Sequence, residues 1–445
     1  MCDTVITQAI MVNEGQKQEG ELLIRNGRIE ALGRSVPRPA GAEIVDLNGG
    51  YLLPGMIDDQ VHFREPGLTQ KGSIASESRA AVAGGITSYM EMPNVKPSTT
   101  TLEALEAKFA RAKGRSIANY SFYLGATNDN IDEIRALPLT AACGIKIFMG
   151  ASTGNMLVDH PQVLESIFRD APMIVLTHCE DTPTIMANEA VYRERYGEAV
   201  PMSAHPLIRS EEACWKSSSF AVDLAKRFGT QLHVLHLTTA KELALFAQGD
   251  MSQKSITAEV CIHHLSFSAP DYETLGAQIK CNPAVKMESD RQALIQAVKN
   301  DVIDIIATDH APHTWDEKQG SYFNAPSGLP LVQHALQAAL EFVHDGVLTL
   351  EQVVKKVAHA PAQRFQVKER GFLREGYWAD LVWVDAKTPH AVTHDNLLYH
   401  CGWSPFEGRT FRSSIASTWV NGYRVWNQGY VLARAVGERL EFDRT

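Results

Sequence analysis

No stretch of the sequence approaches the ~18 uninterrupted apolar residues that a membrane-crossing helix needs, so a membrane-spanning protein is not expected. The opening segment MCDTVITQAIMVNEGQ carries Asp3 and lacks a basic leader followed by an apolar run. It does not read as a signal peptide, and the cytoplasm is the expected compartment. Cysteine is sparse: the seven (Cys2, Cys143, Cys179, Cys214, Cys261, Cys281, Cys401) are odd in number and contain no C-x-x-C pair. That argues against a disulfide framework or a thiolate zinc knuckle. Positive charge is in deficit as well, with 42 Lys and Arg against 52 Asp and Glu, a formal charge of −10 and no basic patch. Neither nucleic acid nor an anionic membrane is an expected partner.

What is present is a globular composition, 44% hydrophobic and 21% charged over 445 residues. At ~150 residues per domain that length suggests about three units, although one α/β barrel can absorb ~250 residues. The start of the chain alternates short β-type runs with turns (VITQAIMV, GELLIRNGRIEALG, EIVDLNGGYLLPG), and the same texture returns in DLVWVDA and SIASTWVNGYRVWNQGYVLAR, where Asn421-Gly422 is a hairpin turn signal. These ends read as one β-sandwich module, residues 1–55 with 365–445, split by an insertion. Within the insertion, residues 56–364, eight apolar runs alternate with amphipathic segments: GMIDDQVHF, GITSYMEMP, NYSFYLGAT, GIKIFMG, PMIVLTHC, QLHVLHL, SITAEVCIHH and IDIIATDH. Eight βα units close a (β/α)8 TIM barrel, so the expected fold class is α/β.

In such barrels the catalytic groups sit at the C-terminal strand ends. The eight ends carry Gln60, His62 and Arg64, then Asn94, Lys146, His178, His236 and Asp309 followed by His313. Any one of the 16 histidines reads most simply as a structural group. Three of them with a carboxylate at strand ends of one barrel converge on a point, which a metal centre explains better. His233, His263 and His264 carry no ligand assignment and are read as structural.

The segments PGMIDDQVHFREPG, EMPN, GIKIFMGASTG, LTHCE, HVLHLTT, KCNPAVK and IATDHAPHTWDEK resemble, in order and spacing, the motifs of dihydroorotases in the cyclic-amidohydrolase superfamily. The resemblance implies one or two Zn2+ ions per chain, bridged by a carboxylated lysine at Lys146. It implies His62, His178, His236 and Asp309 as further ligands, with Asp309 also the catalytic general base. Arg64, Asn94 and His313 would hold a substrate carboxylate, and Asn282 would contact the ring amide. The implied activity is the reversible cyclisation of N-carbamoyl-L-aspartate to L-dihydroorotate in de novo pyrimidine biosynthesis, by a homodimer acting on a small molecule. Hydantoinases and allantoinases share the metal ligands, and their strand-one motifs usually lack the arginine.

One departure stands out, because Gln60 occupies the place of the first histidine of the family's H-x-H pair. A neutral amide oxygen is a poor zinc ligand beside an imidazole nitrogen. Two metals with one loosely held, a single metal, and a silent homologue that scaffolds another pyrimidine-pathway enzyme all remain open. Two segments, Gly150 to Asn155 and His310 to Gly328, read equally as active-site lids or as ordinary loops.

Overall fold

All eight apolar runs become strands. In the computed structural model, which describes residues 2–150, 156–432 and 434–444, they are β1 (Met56–Val61), β2 (Ile86–Glu91), β3 (Asn119–Phe122 with Leu124–Gly125), β4 (Ile145–Phe148), β5 (Val175–His178), β6 (Leu232–Val234), β7 (Ile256–Cys261) and β8 (Ile305–Ala307). Neighbours pair in parallel. The ring closes where Val61 bridges His310 and the His62 N–H donates to the His310 carbonyl at 2.7 Å. Apart from Ile256, every residue of these strands is buried. Burial on both faces is why they read as continuous apolar runs rather than alternating ones.

The intervening amphipathic segments form helices, among them α1 (Leu102–Ala112), α2 (Pro161–Asp170) and α3 (Glu211–Phe228). α1 turns Leu105, Lys108, Phe109 and Ala112 inward at three-to-four spacing, and Thr101 caps it by accepting the Ala104 N–H. α3 starts on the Ser210 cap and stops at Gly229, whose φ of 71° is left-handed and suits glycine.

The two ends of the chain meet in one nine-stranded sheet. Its pivot is Thr4–Asn13, which carries a bulge between Ile6 and Ala9 with Gln8 at φ 50°. Before the bulge this strand pairs with Glu43–Asp46, and after it with Tyr51–Pro54. The bend lets the sheet fold over Ile6, Met11, Leu22, Ile24, Leu52, Leu381 and Trp419, a sandwich-like core of its own. Leu381–Asp385 and Ser414–Val420 extend the sheet from the far end of the chain, and the Asn421-Gly422 turn then leads into Tyr423–Asn427.

Asn421 fastens this sheet to the barrel. It accepts from Arg370 Nη1 at 2.7 Å and donates Nδ2 to Asn119 Oδ1, at the start of β3, at 2.8 Å. The final segment leaves the sheet and runs under the N-terminal ends of the strands. There the Leu440 N–H reaches the Tyr120 carbonyl, and Arg444 donates to the carbonyls of Ala142, Cys143 and Phe365. The floor of the barrel is thereby closed, which leaves the opposite end for chemistry.

Candidate active site

A narrow cavity of about 30 Å³ opens at the C-terminal end of the barrel. Gln60, His62, Arg64, Asn94, Lys146, His178, His236, Asn282 and Asp309 all line it, together with Phe148, Ala311, Ser327 and Gly328. Residues spread over nearly 250 positions of sequence are brought together because each terminates or follows a strand. Three of them leave their strands with left-handed backbone, Arg64 at φ 70°, His236 at φ 40° and Asp309 at φ 50°. Such conformations are costly for residues with a Cβ and cluster at functional sites.

The polar groups fall into two halves. On one side His178 Nδ1 faces His236 Nε2 at 3.0 Å, and Lys146 stands beside them with its ammonium 4.7 Å from the Phe148 ring centre. Burial pushes both imidazoles below their ordinary pKa, His236 furthest, so both are neutral and can offer lone pairs. Burial also brings Lys146 down to about 8, and among the described residues no carboxylate lies within 4 Å of its nitrogen. The supports of this half escaped the sequence reading. Glu180 Oε2 lies 3.0 Å from His178 Nε2 and pairs with Arg209. Its burial is outweighed by Arg209 and His178, which hold it at about 2. Glu259 Oε1 accepts the His236 N–H at 3.1 Å. Glu180 was visible in LTHCE and Glu259 in the seventh run, and only the fold shows what they hold.

On the other side His62 Nδ1 contacts Asn94 Oδ1 at 2.8 Å and its Nε2 lies 3.0 Å from Asp309 Oδ1. Gln60 Nε2 donates to that same Asp309 oxygen at 3.1 Å, while Gln60 Oε1 faces the Cys261 thiol. Glutamine thus enters this half as a hydrogen-bond donor.

Arg64 is 2% exposed and forms no ion pair with its neighbour Glu65. Glu65 instead pairs with Arg111 and Arg115. Arg64 donates Nε to the Pro312 carbonyl at 3.0 Å, and its Nη2 rests 3.0 Å from His313 Nε2. Burial brings its pKa to about 10, so the guanidinium stays charged. His313 does not line the cavity: it backs Arg64 and meets Lys71 Nζ at 3.0 Å on its other nitrogen. Asn282 Oδ1 is buried without a hydrogen-bond partner, an amide oxygen left for a ligand.

The segment from His310 to Gly328 is tied down. Lys318 Nζ donates to the carbonyls of Pro326 at 2.8 Å and Gly328 at 3.0 Å, and Lys280 Nζ donates to those of Tyr322 and Ala325. Of the other segment read as a lid, residues 151–155 lie outside the described residues.

A divalent ion is compatible with the first half. Two neutral imidazole nitrogens 3.0 Å apart approach the ~3.3 Å edge of a tetrahedral site with bonds of about 2.0–2.1 Å. An unpaired buried lysine supplies the third position if carbon dioxide converts it to an anionic oxygen donor. In the second half His62 Nε2 and Gln60 Nε2 both meet the Oδ1 atom of Asp309.

The sequence profile of the amidohydrolase family matches residues 51–425. The chain belongs to the amidohydrolase family. It is 34% identical to the dihydroorotase of Halobacterium salinarum over 91% of this chain and 93% of that one. It is 29% identical to the allantoinase of Bacillus velezensis over 96% and 94%. Among solved structures, the L-hydantoinase (dihydropyrimidinase) of Arthrobacter aurescens superposes with a TM-score of 0.94 at 26% identity, over 99% of this chain and 100% of that one. The family member described here is a metal-dependent cyclic amide hydrolase acting on a small molecule. Among the described residues no helix is long and apolar enough to cross a membrane.

Proposed function

We propose that this amidohydrolase interconverts N-carbamoyl-L-aspartate and L-dihydroorotate, as a zinc enzyme of pyrimidine biosynthesis. One observation carries the choice within the family: a buried guanidinium, Arg64, lines the cavity with no carboxylate within 4 Å among the described residues. A charged group so placed meets its counter-charge on a ligand, and a substrate carboxylate fits its fork. The dihydroorotase from Halobacterium salinarum supports the same choice.

Lys146, His178 and His236 would hold the ion, with Lys146 as a carbamate, and His62 and Asp309 would hold a second ion more weakly. When bound, the ion polarises the scissile carbonyl and lowers the pKa of water toward ~7. Asp309 takes the proton of the attacking water and delivers it to the ring nitrogen that leaves, and in cyclisation it runs the same path backwards. Gln60 fixes the carboxylate that does this. Arg64 anchors the substrate carboxylate, with His313 behind it, while Asn94 and Asn282 set the ring's orientation.

The test is turnover of dihydroorotate, hydantoin, allantoin and dihydrouracil by zinc-replete protein. Preference for dihydroorotate is the expected result. Preference for a ring without a carboxylate would favour the second reading, a hydantoinase-type enzyme, to which the superposition on the L-hydantoinase lends weight. Turnover of none would overturn both.

A further inference from the structure

A second group of ligand-type atoms lies in the barrel interior, and none of its three residues lines the cavity. We infer that Asp59, His233 and Glu259 form a binding site for a divalent transition-metal ion, separate from the one at the strand ends.

The register of β1 against β2 slips between Asp58 and Val61. Such a bulge lets two adjacent residues of one strand address the ring in different ways. Asp58 is consumed structurally, accepting the Thr308 hydroxyl at 2.6 Å. Asp59 reaches across to β6 and β7, where both its carboxylate oxygens are buried and without a hydrogen-bond partner.

An outer hydrogen bond orients the His233 ring. The Thr257 hydroxyl lies 2.8 Å from His233 Nδ1 and, donating to the Leu232 carbonyl at 3.4 Å, can accept from it. In the tautomer that donates through Nδ1, His233 Nε2 offers a lone pair, as a metal-ligating imidazole with an outer hydrogen bond does. It faces Asp59 Oδ2 and Glu259 Oε2, each 3.4 Å away. The other oxygen of Glu259 is taken up by the His236 N–H. Three ligand-type atoms therefore converge, and in the absence of an ion a proton on His233 Nε2 can bridge them.

Distance and charge both suit a cation. Separations of 3.4 Å exceed the usual 2.7–3.2 Å of a good N–H···O bond, yet they match the ~3.4 Å ligand edge of a tetrahedral ion with bonds of about 2.1 Å. With an ion bound, two carboxylates and a neutral imidazole would sum to the charge that a divalent ion cancels, and all three residues are fully buried. Nitrogen and carboxylate donors together suit zinc and its first-row neighbours rather than magnesium or calcium.

Zinc is the probe, and the full chain is the sample. Crystals grown with Zn2+ should give an anomalous peak at the zinc absorption edge between Asp59, His233 and Glu259. Contraction of the three groups to hydrogen-bond distance, with no peak, would show that protons hold them and would overturn the inference. After exhaustive dialysis, Asp59→Asn should retain about one zinc fewer per chain than the unmodified protein. The double variant His178→Ala/His236→Ala should still retain about one. An unchanged count in Asp59→Asn, or none in the double variant, would also overturn it. Should Asp59→Asn fail to fold, the peak in the unmodified chain decides. Turnover assays leave this result untouched, so the interior site and the proposed reaction fail separately.

Discussion

Gln60 and His62 compete for one atom. The Gln60 amide donates to Asp309 Oδ1 at 3.1 Å, and His62 Nε2 lies 3.0 Å from the same oxygen. The residue that replaces the first histidine therefore also occupies the carboxylate oxygen that an ion on this side would use.

Gln60→Glu would add charge as well as change chemistry, so Gln60→His is the cleaner exchange. It removes the amide donor and restores an imidazole. Metal analysis after dialysis should find about one further equivalent of zinc per chain than in the unmodified protein. An unchanged count would mean that Gln60 does not govern this side.

Arg64→Gln should act on substrates according to their charge. Hydrogen bonds to charged groups are worth about 1.5–3 kcal/mol, so kcat/KM for dihydroorotate should fall about 10- to 100-fold. Any residual turnover of a neutral hydantoin should change little. Equal losses on both substrates would place the role of Arg64 in structure rather than in carboxylate recognition.

Burial brings Lys146 down to about 8. Only the free amine reacts with carbon dioxide, and at pH 7 about a tenth of such a lysine is free, against well under a hundredth for an ordinary lysine near 10.4. The sign is fixed: the depressed pKa enlarges the reactive fraction, and that fraction grows as pH rises through 8. With 13C-bicarbonate, the carbamate NMR signal of metal-free protein should strengthen between pH 6.5 and 8.5 at constant dissolved carbon dioxide, and should be absent in Lys146→Ala.

Lys318→Met keeps the length of the side chain while removing the donors that hold the carbonyls of Pro326 and Gly328. The expected loss is about 1.5–3 kcal/mol of stability, the worth of hydrogen bonds to a charged group. Limited proteolysis should move to the segment between Lys318 and Ser327. Unchanged stability and cleavage would show that the segment is held by other contacts.

The barrel strands were legible because burial on both faces leaves a mark in local sequence, and the cavity residues were legible because they end those strands. Arg64 shows the limit. Its place after the first strand end marks it for a substrate carboxylate, but that its neighbour Glu65 turns away to pair with Arg111 and Arg115 is visible only in the fold. His313, read as holding the substrate carboxylate together with Arg64, lies 3.0 Å from the Arg64 guanidinium, a contact that spacing does not encode. Asp59 gave no signal at all, since a bulge decides which way it faces. Lys280 and Lys318 look like solvated cations until the carbonyls they bind are known.

The Asn421 turn does more than reverse a strand. Its side chain is bonded to Arg370, to Asn119 of the barrel and to the Val436 carbonyl of the final segment, while its N–H is held by Asp380. Four stretches of chain, more than 300 residues apart at their extremes, thus lose a shared junction if any one of them detaches. Heat should accordingly melt the terminal sheet and the barrel as one cooperative unit, giving a single calorimetric transition in place of two.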